Sequence, residues 1–186
     1  MSTDLQQRLA EVAGIAVRLE RETALPPQLL IAQWAVESSW GAKPVGRANV
    51  FGIKRANRHT DFCVVTTQEV FSVAQIAQWN DRHPQRPARV IGNLPGGKHI
   101  VELEDEFADY ASLEASCRDY VWLITHGDLY QKAWVSYQAT RKLPALIDGV
   151  AHVYATATSY AALLHQIASQ TNVVTTIQAA REQLAG

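Results

Sequence analysis

Leu29-Leu30-Ile31-Ala32-Gln33-Trp34-Ala35-Val36-Glu37-Ser38-Ser39-Trp40-Gly41 is apolar for most of its length and then runs into a carboxylate. A helix that is apolar over most of its circumference belongs inside a core. Pro26-Pro27 ahead of it suits a helix start, because proline is tolerated in the first turn. The core helix is therefore expected from Pro26-Pro27 to about Ser39, with Gly41, Pro44 and Gly46 breaking the pattern after it. Glu37 sits where this helix ends. Desolvation there disfavours the anion and raises the pKa, and the negative end of the helix dipole acts in the same direction. An acid that keeps its proton near neutral pH is what breaking a glycosidic bond requires.

Working outward, Leu5, Leu9, Val12, Ala16 and Leu19 fall at helical spacing, which predicts a helix over residues 4 to 21. Residues 61 to 71 are rich in β-branched and aromatic types and read as a strand. Residues 98 to 107 alternate apolar and polar through Ile100 to Glu104 and form its expected partner. Between them, residues 72 to 97 hold three prolines and three glycines and read as an insertion, partly helical near Val73 to Trp79. Its basic residues Arg82, His83, Arg86 and Arg89, with Lys98 and His99, either meet acidic peptide groups or keep the loop solvated. From Ser112, an expected N-cap, helices are predicted near 113–125, 128–139, 144–155, 159–170 and 174–185. The fold class is mainly α with a small β-hairpin lobe (α+β), a single domain over residues 1–186 with an insertion at about 72–97.

The chain has 186 residues, 47% of them hydrophobic and 19% charged, which is a globular composition. A net charge of −1 gives no electrostatic footprint for nucleic acid or an anionic membrane. Cys63 and Cys117 lack metal spacing and read as buried thiols. His126, His152 and His165 are isolated, so no metal and no cofactor is expected. Met1 to Arg8 has neither a basic nor an apolar signal region, and no apolar run reaches transmembrane length. The expectation is synthesis in the cytoplasm without membrane insertion. A holin, a secretion machine or a flagellar-type export route would then carry the protein to any target outside.

Four pieces, in order, carry a resemblance: Gln33-Trp34-Ala35-Val36-Glu37-Ser38-Ser39-Trp40-Gly41, then Asn49-Val50-Phe51-Gly52-Ile53-Lys54, then Phe107-Ala108-Asp109-Tyr110, then Tyr154-Ala155-Thr156 with Tyr160-Ala161. Over roughly residues 20 to 168 the chain resembles the peptidoglycan-cleaving glucosaminidases of glycoside hydrolase family 73, found in autolysins, phage lysins and the flagellar rod-cap muramidase. The resemblance implies a lysozyme-like fold, a helical lobe and a hairpin lobe beside a cleft, acting on peptidoglycan glycan strands in the periplasm, in the cell wall or outside the cell. It implies Glu37 as the catalytic acid, within a segment like Glu-Ser-Gly-Trp-Gly in which Ser39 replaces the glycine. Trp40, Asn49, Phe51, Lys54 and Tyr160 become the expected substrate-binding residues. Phe51, with Gly52 and Ile53, also reads as holding its loop against the core. The family's paired asparagines are reduced to Ala48-Asn49, and Ala157 stands where the family usually carries aspartate.

Hydrolysis usually needs a second carboxylate. Thr66-Thr67-Gln68-Glu69-Val70 resembles the family's hairpin segment, which points to Glu69. An inverting enzyme would hold it roughly 6.5–9.5 Å from the acid. The acidic run Glu102, Glu104, Asp105 and Glu106 is the alternative source. In a third scheme the substrate's own acetamido group is the nucleophile, with a tyrosine assisting. Of Tyr154 and Tyr160, Tyr154 is the expected catalytic partner. Two other readings stand beside hydrolysis. One is a lytic transglycosylase of the same fold, against which Phe51-Gly52-Ile53-Lys54 replaces that class's Gly-Leu-Met-Gln. The other is a module that binds cell-wall glycan without cutting it.

Overall fold

The computed structural model describes residues 2–154 and 158–186. It divides into two compact units, residues 1–52 with 110–186, and residues 53–109.

The first unit is helical. Among its described residues it contains α1 (Thr3–Thr23), α2 (Pro27–Glu37), α4 (Leu113–His126), α5 (Gln131–Thr140), α6 (Leu143–Tyr154), α7 (Thr158–Ala168) and α8 (Thr171–Gln183). Ser2 caps α1 and Ser112 caps α4, each hydroxyl accepting a main-chain N–H in the first turn. Helix α2 buries Pro27, Leu29 to Ala35 and little else, so it presents no polar face and lies inside the bundle. It packs against α1, α7, α8 and α4, while α1 packs against α8 and α4. The helix stops at Glu37, two residues short of the sequence expectation.

The second unit holds β1 (Phe62–Ser72), α3 (Val73–Arg82), β2 (Arg89–Leu94) and β3 (Lys98–Ala108). The sheet is antiparallel, in the order β1-β3-β2. The lobe is thus three strands rather than a hairpin of two. The insertion supplies both α3, with a capping box of Ser72 and Gln75, and an edge strand. β2 escapes the sequence reading because it is short, exposed except at Gly92, and bulged between Val90 and Gly92. The turn into β3 uses Gly96 and Gly97, at φ +75° and +69°, where only glycine sits without strain.

Candidate active site

Glu37 is the last residue of α2. The main chain leaves the helix through three successive left-handed residues, Ser39, Trp40 and Gly41, at φ +51°, +59° and +75°. Ser38 holds this turn together. It is wholly buried, its Oγ donates to the Trp34 carbonyl at 2.6 Å, and it accepts the Gly41 N–H at 2.9 Å. From α1, Arg8 Nε donates to the Trp40 carbonyl at 3.0 Å. The Trp40 ring packs edge-on against Trp34, with centroids 5.8 Å apart.

The aromatic group that touches the acid is Tyr160, from α7, whose hydroxyl donates to Glu37 Oε1. That hydroxyl in turn accepts Gln33 Nε2–H at 2.8 Å. Tyr154, the partner expected from the sequence, instead directs its hydroxyl to the Phe51 carbonyl at 3.4 Å. Its ring lies parallel to Tyr160 at 6.4 Å and 6.2 Å from Tyr130. Tyr120 and Tyr130, which the sequence reading passed over, join this group, and both feel the Glu37 charge.

Glu37 is an exposed residue, so the shelter from solvent expected from the sequence is incomplete. Enough protein surrounds the carboxyl that desolvation still raises its pKa above the ordinary carboxylate value. The Tyr160 hydrogen bond acts the other way, favouring the anion. Burial and the Glu37 charge push Tyr130 up to about 12, so it stays a neutral phenol. Tyr160 is raised by burial first and by Glu37 second, and is likewise a donor at neutral pH.

Two residues expected at the substrate lie inside the protein. Phe51 is fully buried, stacked on Tyr120 at 4.3 Å, and Asn49 is 1% exposed, its main chain bridged to Val45. Both residues pack the loop against the interior, the structural role the sequence also suggested for Phe51. Ala157 lies outside the described residues.

In the second unit, Glu69 on β1 is paired with Lys54 Nζ at 3.0 Å, and the same ammonium reaches Asp105 at 2.7 Å. Lys54, expected at the substrate, is therefore engaged by two carboxylates. Glu106 is bound by Arg55 and Arg86, each at 2.7 Å, and Glu102 by Arg89. Arg86 and Arg89 thus tie the basic insertion to Glu106 and Glu102 of the acidic run. His83 stacks on Trp79 at 4.1 Å, and His99 bonds Asn93 at 2.8 Å. Among the described residues, no group of three or more His, Cys, Asp or Glu side chains is placed to hold a metal, and no helix is long and apolar enough to cross a membrane.

The sequence model of the family described as mannosyl-glycoprotein endo-beta-N-acetylglucosaminidase matches residues 13–173. A probable N-acetylmuramidase of Lactococcus lactis subsp. cremoris is 28% identical over 174 residues, covering 89% of this chain and 33% of that protein. The chain thus spans about a third of the length of the curated relatives it matches. The catalytic domain of the autolysin Auto from Listeria monocytogenes has the same fold, with a TM-score of 0.67 and 21% identity over 95% of this chain and 89% of that one. A C-terminally truncated glycoside hydrolase domain of FlgJ from Salmonella typhimurium superposes with a TM-score of 0.58 and 22% identity, over 91% of this chain and 97% of that one. The lysozyme-like architecture expected from the sequence is the one found.

Proposed function

The chain belongs to the glucosaminidase family, and from that premise we propose that it hydrolyses the β-1,4 bond after N-acetylglucosamine in peptidoglycan, with Glu37 as general acid. The observation that carries this reading is the Tyr160 hydroxyl seated on a carboxyl whose pKa is raised by desolvation. Raised affinity for a proton lets Glu37 protonate the leaving oxygen near neutral pH. As that proton departs, the Tyr160 hydroxyl supports the carboxylate left behind. Glu69, paired with Lys54 at 3.0 Å, is the carboxylate assigned in this proposal to activate water. Trp40 offers a partly open ring for stacking on a sugar. The polymer lies in the cell wall, reached by export machinery or through a holin.

A second reading follows from the relatives named as probable N-acetylmuramidases: the same acid cutting after N-acetylmuramic acid. Digesting purified sacculi, reducing the products with borohydride and weighing them by mass spectrometry separates the two. Reduced N-acetylglucosamine ends are expected. Reduced muramic ends would support the second reading, and anhydro-muramic ends would mean a transglycosylase. Glu37→Gln should release no ends while keeping the wild-type circular dichroism; cleavage by that variant would remove Glu37 from its role.

A further inference from the structure

Gln33 is the polar residue in the middle of α2, flanked by Leu29, Leu30, Ile31, Ala32, Trp34 and Ala35, and it is wholly buried. A buried amide is costly unless its groups are paired. Only half of this one is. Nε2 donates to the Tyr160 hydroxyl at 2.8 Å, while Oε1 is buried with no hydrogen-bond partner. An amide retained for packing alone would be better replaced by leucine or methionine, which leave no orphaned oxygen. The one bond it makes therefore identifies its task.

We propose that Gln33 is a positioning residue for the acid, fixing the direction of the Tyr160 hydroxyl so that its single proton is held on Glu37. The inference rests on the reading of Glu37 as general acid. A phenol has one proton to give and lone pairs to receive. With a Gln33 N–H occupying the receiving side, the phenol proton is left for Glu37 Oε1. Gln33 and Glu37 are one turn apart on α2, so both face the same point on α7. The chain of donors runs Gln33 to Tyr160 to Glu37 and ends on the oxygen that becomes negative when the proton passes to the glycosidic oxygen. Linked hydrogen bonds polarise one another, so the bond strengthens as the transition state is approached. Four tyrosines from four parts of the helical unit feel the Glu37 charge: Tyr160 from α7, Tyr154 from α6, Tyr130 ahead of α5 and Tyr120 from α4.

The test compares wild type, Gln33→Met, Tyr160→Phe and the double variant, measuring kcat, KM and the pH profile on soluble peptidoglycan fragments. The acid works protonated, so the alkaline limb of kcat/KM reports its pKa. Loss of the hydroxyl bond removes a stabiliser of the anion and moves that limb upward. Gln33→Met should lower kcat about tenfold with KM unchanged, shift the limb in the direction Tyr160→Phe shifts it, and add nothing further in the double variant. A purely structural role predicts a lower melting temperature, an unmoved limb and multiplying losses, and that result overturns the inference. If Gln33→Met does not fold, Gln33→Leu replaces it. A carbon-13 titration of Glu37 in wild type and Tyr160→Phe must still show a higher pKa in the variant, and equal values refute the relay. Glu37→Gln in the same assay tells the two failures apart: an active Glu37→Gln defeats the general-acid reading, whereas an inactive one beside an unshifted Gln33→Met defeats only the role given to Gln33.

Discussion

Two substitutions in the turn that follows the acid should change stability in opposite directions. At Gly41, φ is +75°, and an added Cβ would lie 2.8 Å from Trp34 Cζ2 and 3.1 Å from Nε1. Trp34 is 1% exposed and cannot swing aside without disturbing α2. Left-handed strain on a residue with a Cβ costs about 1–2 kcal/mol, and overpacking a filled core costs about 1–3 kcal/mol. The reduced freedom of the unfolded chain returns about 0.4–1 kcal/mol. Gly41→Ala should therefore lose about 1–4.5 kcal/mol, a fall in melting temperature of roughly 2–18 °C for a chain of this size. At Ser39, φ is +51° and the side chain is exposed, so only the strain is at stake. Ser39→Gly relieves it, gives back part of the gain as unfolded-state entropy, and should stabilise by about 0.5–1 kcal/mol. Guanidinium unfolding followed by tryptophan fluorescence and by far-ultraviolet circular dichroism measures both. A Gly41→Ala loss below about 1 kcal/mol, or a destabilised Ser39→Gly, would mean that neither the left-handed turn nor the fit against Trp34 is as described.

Glu37→Gln should raise the melting temperature at pH 7, because a folded-state pKa above the unfolded value makes ionisation weaken the fold as pH rises. The gain should close below pH about 4, where the wild-type carboxyl is protonated folded and unfolded alike; a Glu37→Gln variant less stable at pH 7 than wild type would contradict the desolvation of this group. Glu69→Gln should reduce hydrolysis by about 100-fold or more if that carboxylate activates water, and turnover within a few fold of wild type would transfer the task to the substrate's acetamido group. Phe51→Ala removes a fully buried ring stacked at 4.3 Å on Tyr120 and should cost about 3–5 kcal/mol, read by urea unfolding.

The parts of this site that were legible in the sequence are those set by local rules. Helix α2 announces itself as an apolar run after Pro26-Pro27, and Glu37 ends it, so acid and core helix are one local pattern. Of the three left-handed residues after Glu37, Gly41 takes that conformation without strain, whereas Ser39 and Trp40 both carry a Cβ there. β2 was hidden because an exposed, bulged edge strand has neither alternation nor an apolar run to betray it. The choice between Tyr154 and Tyr160 was hidden for a different reason. Tyr154 closes α6 and Tyr160 belongs to α7, so the two rings sit on different helices and six residues of spacing say nothing about which of them faces α2. The deciding contact joins positions 123 apart. One signal in the sequence did bear on it. An amide in the middle of an apolar helix, one turn before a carboxylate, is the buried polar group that asks for a partner, and Gln33 finds it in Tyr160 rather than Tyr154. The tyrosine that completes the site is thus selected by what the core helix leaves unsatisfied, which places the specification of the acid's surroundings partly in α2 itself.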